Sequence, residues 1–546
     1  MISGSTTKQK TGSVLERIGD YVEERSAVAM GLLLSLLFVA LVGQASSNYL
    51  WYDELVVVRV AGFPHWHDIW NFYAKGLDTI GLLYATLIHP LLKLQASAEI
   101  SARLPAMIAF LVMLLCSFVF MRRRHPAVYA FAMVLLLMSL PMLDYGVFAK
   151  SYALEFGGVA FAMMCWQSAM DGRRRMWNVM GLWFGLALAL YSHTFAVFLF
   201  VPFAAAQGLR DYRRKTVDWP VWIALVSYPL ALLPVLRGDL LASKLYGSNF
   251  WSPPNAALMK QTYIDYFVED WRLLLILFVA AAIVMVLLRE RVPEADSVQR
   301  MADNSKAAGF SLPEWVFVVM LTALPAYVLP ASYLLHAYRA EYVMSFAIGM
   351  AMLLVAMFAE HARRSQAAGV VLLLLFALAT LRTDLKKIPE GLRAMVHPER
   401  VHSQLEARYD SEPWVKLLER SDLPVLLGDH LLYTRLECYA PPELKHRLYF
   451  LTNIAEVKKY PRSETSQMNF LLFGKMLSYQ TMDVGSFLPE HPHFLLAVGP
   501  MHDTLWLPDY LLNQEQEGNA SLRLLGPGFT LPSVYEVEFA RMPEFP

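Results

Sequence analysis

Apolar residues fall in long charge-free runs separated by short polar segments that carry most of the arginines. Runs such as Ala27 to Tyr52, Leu104 to Met121 and Trp219 to Leu236 suit a bilayer crossing, which needs roughly 20 helical residues. Taken in order, the pattern predicts spans near 27–46, 104–121, 126–143, 153–170, 177–192, 194–209, 219–236, 272–288, 315–334, 342–359 and 366–381. The expected architecture is therefore mainly α: a polytopic membrane bundle of about eleven spans over 27–381, behind a cytoplasmic segment 1–26. The run Ala27 to Gly43 exceeds the usual signal-peptide core, so it reads as an uncleaved anchor. From 382 to 546 the pattern changes to a charged, Pro-punctuated tail. There, short β-rich runs (Val425 to Gly428, Arg447 to Leu451, Phe494 to Val498, Val534 to Phe539) alternate with helical segments such as Leu431 to Tyr439, which predicts a small α/β domain.

The 546 residues are 56% hydrophobic and only 17% charged, with 47 basic and 47 acidic side chains. That balance argues against an ordinary soluble enzyme, and zero net charge gives no case for a nucleic-acid partner. The charge encodes topology. With the N-terminus inside, the inner segments carry 20 Lys and Arg against 10 in the outer short loops, which puts the tail outside. Counting Thr79 to Leu94 as a span would reverse every later loop, so this Pro90-containing stretch is placed as an interfacial or re-entrant helix within a long outer loop, 47–102. The three cysteines, Cys116, Cys165 and Cys438, are far apart and read as free.

Candidate chemistry gathers on the outer side. Trp51-Tyr52-Asp53-Glu54 sets two adjacent carboxylates just after the first span, where one can take a proton from a hydroxyl or the pair can hold a divalent cation. The competing reading is that Asp53 caps the next helix. Asp78 lies in the same loop and has the same two readings. Arg103 opens the second span and Arg339 precedes the tenth; a guanidinium suits a phosphodiester, while snorkelling explains any single Arg near a helix end. Lys150, Tyr152 and His193 are further candidate substrate contacts on outer turns, and Glu155 is an ionisable group just inside the fourth span. No HExxH, P-loop, Rossmann glycine run or GxSxG elbow is present, which argues against zinc hydrolysis, direct use of nucleoside triphosphates and a hydrolase triad.

In this order the residues resemble the GT-C superfamily of membrane glycosyltransferases, particularly the protein O-mannosyltransferase, aminoarabinose transferase and RgtA/B/C/D-like bacterial branches. The likeness is carried by Asp53-Glu54 after the first span, Leu82-Leu83-Tyr84, Arg103-Leu104-Pro105, Tyr191-Ser192-His193, Tyr338-Arg339, and Glu437-Cys438-Tyr439-Ala440-Pro441 in the tail. It covers about residues 27 to 450. Many relatives have His-Pro-Pro or Lys-Pro-Pro where this chain has Asp78-Thr79-Ile80-Gly81, which leaves the identity of donor and acceptor open. The resemblance implies a polyprenyl-phosphate sugar donor and a lipid, glycan or protein hydroxyl as acceptor, at the outer face of a bacterial inner membrane. On that footing Asp53 is expected to act as base or acceptor orienter. Glu54 and Asp78 would position sugar hydroxyls or a divalent cation, and Arg339, with Lys150 or Arg103, would stabilise the leaving phosphate. Two other classes compete: a lipid or small-solute transporter or flippase, and a non-catalytic membrane scaffold.

Overall fold

The computed structural model describes residues 13–77, 81–94, 97–246, 254–267, 309–335, 338–453, 476–499, 506–528 and 530–543, with isolated positions between 275 and 286 and between 455 and 474. The chain is a mostly helical membrane protein with a small C-terminal sheet. Among the described residues two helices are long and apolar enough to cross a membrane, Ser26–Ser47 and Ala98–Arg122. The pair Leu312–Thr322 and Leu324–Leu334, bent by 49°, makes a third span if counted as one. Shorter apolar helices, including Ala127–Ser139 and Phe346–His361, overlap other predicted spans, while the span expected at 272–288 lies almost wholly outside the described residues.

The predicted long outer loop contains three short helices, Tyr52–Ala61, Trp66–Ala74 and Leu82–Leu92. The last occupies the segment expected to be interfacial and is anchored by Tyr84, whose hydroxyl donates to the Ala102 carbonyl at 2.7 Å. Helices Tyr152–Met170 and Arg175–Ser192 form a tight antiparallel hairpin. They meet through Gly158 and Ala162 on one and Gly185 and Ala189 on the other; a Cβ on Gly158 would lie 2.7 Å from the Gly185 carbonyl oxygen. Small residues four apart let helix backbones approach this closely where packing, not water exclusion, drives association.

Ion pairs gather the arginine clusters at one end of the bundle: Arg122 to Glu23, Arg124 to Asp171 and Glu314, Arg210 to Asp218, and Arg364 to Glu360, which also meets His125. The acidic pair Asp53-Glu54, with Arg103 and Lys150, lies at the other end. The segment 289–306, expected on the arginine side, is outside the described residues.

The tail's sheet has strand order β3-β2-β1-β4-β6-β5, with β1 Val425–Leu427, β2 Leu448–Thr452, β3 Thr481–Asp483, β4 His493–Val498, β5 Ala520–Pro527 and β6 Ser533–Phe539. Strands β1 to β4 are parallel neighbours, and β6 joins antiparallel, pairing His493 with Glu538. Central β1 is buried along its whole length, as a strand covered on both faces must be. The four predicted strand runs correspond to β1, β2, β4 and β6, and the predicted helix to His430–Tyr439. The change of composition at 382 falls inside the Gln366–Asp384 helix.

Candidate functional site

The Tyr52–Ala61 helix begins directly after the first span, and its first turn decides which carboxylate faces outward. Trp51 is the N-cap; Glu54, three residues on, accepts the Trp51 backbone N–H at 2.8 Å. Glu54 therefore does the capping that was the competing reading for Asp53. Its Oε1 also accepts from Arg103 Nε at 2.8 Å and from the Ala149 N–H at 2.6 Å, and its Oε2 from Arg103 Nη2 at 2.8 Å. Those four bonds fill the acceptor positions of a carboxylate. Arg103 spends its other donors on the carbonyls of Ala45, Asn48 and Tyr49 at 2.7 to 2.9 Å. Both side chains are buried, Glu54 to 1% exposure and Arg103 to 3%.

In this arrangement both groups are fully bonded. Arg103 has no N–H left for a phosphate, and Glu54 has no oxygen left for a sugar hydroxyl or a cation. The pair is a junction: it ties the end of the first span, the start of the second and the turn at Ala149 into one rigid unit.

The junction sets Asp53 and Lys150 beside each other. Ala149 is held by Glu54, so the next residue projects its ammonium to 2.7 Å from Asp53 Oδ2. Asp53 is 38% exposed and Lys150 15%. The remaining turn is pinned by Ser151 Oγ, which donates to the Ser192 carbonyl at 2.7 Å. Glu155 is buried one turn further on and accepts from Ser345 Oγ at 2.8 Å.

Behind Lys150 stands an aromatic wall. The Lys150 ammonium lies 5.9 Å from the Tyr152 ring, which stacks on His193 at 5.8 Å and meets Tyr145 edge-on at 5.3 Å. His193 also contacts Tyr342 at 4.6 Å. Burial and the nearby Lys150 push the His193 imidazole down to about 3, so the ring is neutral at pH 7. Its Nδ1 accepts from the Phe195 N–H at 3.3 Å, which places the ring proton on Nε2. Arg339 grips Glu341 through two hydrogen bonds of 3.1 and 2.8 Å, and Glu341 is hydrogen-bonded to Tyr145 of the wall. Asp53, Lys150, Tyr152, His193 and Arg339 thus belong to one neighbourhood; Asp78 lies outside the described residues.

The Asp53–Glu54 pair does not fit a divalent cation. Glu54's oxygens are occupied, and Asp53 is matched to an ammonium rather than to further oxygen ligands.

The tail contributes groups that local sequence patterns did not single out. Helix His430–Tyr439 packs on Tyr52–Ala61, placing the His430 ring edge-on to Tyr52 at 4.7 Å and Arg435 over the Trp51 ring at 5.6 Å. Burial pushes the His430 imidazole down despite the opposing pull of Asp429 and Asp53. The tail is held by Tyr439, whose hydroxyl accepts from the Leu50 N–H at 3.0 Å and donates to Glu99 at 3.1 Å, and by His402 Nδ1, 2.7 Å from the same Glu99 oxygen. Arg59 and Glu437 form a further ion pair. Glu341 and Tyr342 directly follow the Arg339 region in sequence; His430 and Arg435 carry no local mark at all.

The fold and site define a polytopic membrane protein in which Asp53 and Lys150 lie where the first membrane-surface loop meets a docked α/β tail. Its fold is shared with two solved structures of ArnT. The chain is similar to the crystal structure of ArnT from Cupriavidus metallidurans in the apo state, with a TM-score of 0.51 and 13% identity over 95% of this chain and 98% of that one. It is equally similar to ArnT from the same organism bound to undecaprenyl phosphate, with a TM-score of 0.51 and 12% identity over 95% of this chain and 99% of that one. No protein-family model matches the chain, and no curated protein matches it in sequence.

Proposed function

We propose that the protein is a glycosyltransferase that moves a sugar from a polyprenyl phosphate to a hydroxyl of a lipid, glycan or protein at the outer face of the bacterial inner membrane. The observation that carries this reading is the Asp53–Lys150 pair, in which Asp53 is the more exposed partner, held at 2.7 Å beside the buried Glu54–Arg103 junction in a fold shared with a structure solved with undecaprenyl phosphate bound. In the reaction the acceptor oxygen bonds to the anomeric carbon as the bond from that carbon to the phosphate oxygen breaks. Asp53 takes the acceptor's proton or orients its hydroxyl, which needs a carboxylate within hydrogen-bond reach. Charge accumulates on the departing phosphate, and Lys150, with Arg339, stabilises it. Neutral His193 and Tyr152 form the wall behind the Lys150 ammonium. Asp78 remains a candidate to position sugar hydroxyls.

Binding of undecaprenyl phosphate to the purified protein, followed by thermal shift, tests the donor half of this reading. Lys150→Ala is expected to weaken binding roughly 10- to 100-fold, the range for losing a charge-assisted hydrogen bond to phosphate. Unchanged affinity in that variant would remove Lys150 from the donor site.

A further inference from the structure

At the opposite end of the bundle, the arginine clusters do not merely decorate a surface. Helix Ala98–Arg122 runs from the Glu54–Arg103 junction to Arg124, a separation of roughly 30 Å at 1.5 Å per residue. There, four helix ends border an open cavity of about 280 Å³ whose lining includes Arg124, Arg210, Arg213, Arg214, Asp171 and Ser311. Four guanidiniums face one carboxylate. The volume falls just under the roughly 300 Å³ at which drug-sized ligand sites begin, and suits a headgroup rather than a larger molecule.

The acidic residues nearby are already committed. Arg124 is held between Asp171 and Glu314, both at 2.7 Å, and Glu314 also accepts from Gln167 and Ser311. Arg210 is held by Asp218 at 2.8 Å and by the Met170 carbonyl at 3.3 Å. These pairs fix two arginine planes in the cavity wall. Arg213 and Arg214, in the last turn of Phe200–Arg214, are exposed and have no partner among the described residues. The positive charge is therefore concave, partly preorganised and, among the described residues, unpaired at its rim.

A second feature distinguishes a lipid from a free anion. Helix Leu312–Thr322 starts at the cavity edge, where Ser311 and Pro313 line it. Leu312 and Val319, one above the other on this helix, are 50% and 47% exposed, with partly exposed Trp315 and Val316 between them. An apolar stripe thus rises from the charged cavity along the outside of the bundle, as acyl chains require.

We propose that this cavity binds the phosphate headgroup of an anionic phospholipid in the leaflet opposite the Asp53 site, with its acyl chains against Leu312 and Val319. Basic pockets between membrane helices recognise such headgroups through the same combination of guanidinium charge and lipid access. A zwitterionic lipid carries an ammonium that the rim arginines repel.

The test is thermal unfolding of the purified full chain in neutral detergent, titrated separately with short-chain phosphatidylglycerol, short-chain phosphatidylcholine and inorganic phosphate. Phosphatidylglycerol is expected to stabilise the wild type. In R213A/R214A the half-maximal concentration should rise roughly 10- to 30-fold, each arginine being worth about a factor of five at a membrane surface. Equal stabilisation by phosphatidylcholine, or an unchanged response in the double variant, would overturn the site. An equal response to inorganic phosphate would overturn the lipid assignment and leave a free-anion site. The readout is binding at the end of the bundle remote from Asp53, so its failure does not bear on sugar transfer.

Discussion

Glu54 accepts four hydrogen bonds in a buried junction, and Asp53, one residue earlier, holds a single ammonium at the surface. Sequence proximity made them a pair, yet their environments assign them opposite work. Breaking a buried, fully bonded ion pair from one side strands the other charge, at about 3–5 kcal/mol. Glu54→Gln is therefore expected to lower the thermal unfolding midpoint steeply and to lose activity as a consequence; an unfolding midpoint like that of the wild type would show that the junction is not structural. The acidic dipeptide at the membrane surface was legible in the sequence. Which carboxylate is buried and fully bonded was not, because the partners that occupy Glu54 lie 49 and 95 residues away.

Elements were read well where hydrophobic length or alternation is strong, as in the first two spans and in β1, β2, β4 and β6. Strand β3 escaped because it has only three residues, and β5 because it is an exposed edge strand broken by an irregularity at Leu524 and Gly526. The contact between Tyr152–Met170 and Arg175–Ser192 left a weaker trace: two glycines and two alanines that matter only once the helices are side by side. Gly158→Leu must push the Gly185 backbone away, and overpacking of this kind costs about 1–3 kcal/mol. Its unfolding midpoint in detergent should fall, whereas Gly31→Ala, with nothing within 4 Å, should leave it unchanged. Equal midpoints for Gly158→Leu and wild type would mean that the hairpin is looser than its backbone spacing indicates.

For the molecule as a whole, the decisive feature is that the tail is docked on the loop that carries Asp53. Its fastenings join residues more than 300 positions apart, such as His402 with Glu99 and Tyr439 with Glu99, and no local pattern announces such contacts. The hydrogen bond to Glu99 raises the His402 pKa above its ordinary value, against the opposing effect of partial burial. A raised histidine contributes stability that is complete below the unfolded-state pKa of about 6.5 and is lost as pH climbs through the higher folded value. Protection of tail amides from hydrogen exchange should accordingly decline from pH 6 towards pH 8.5 after correction for intrinsic rates, and His402→Gln should remove that dependence. A His402→Gln profile that still declines as in the wild type would place the pH response elsewhere.

The proposed chemistry rests on Asp53, and one measurement addresses it most directly. Radiolabel from a panel of polyprenyl-phosphate sugars is followed into lipid, polysaccharide and protein fractions, using membranes that carry equal amounts of wild type or Asp53→Asn. Donor-dependent transfer by the wild type, reduced by about 100-fold or more in the variant, is the predicted result and is the scale expected for removing a general base. Full transfer by Asp53→Asn would contradict the assignment of Asp53 as the base.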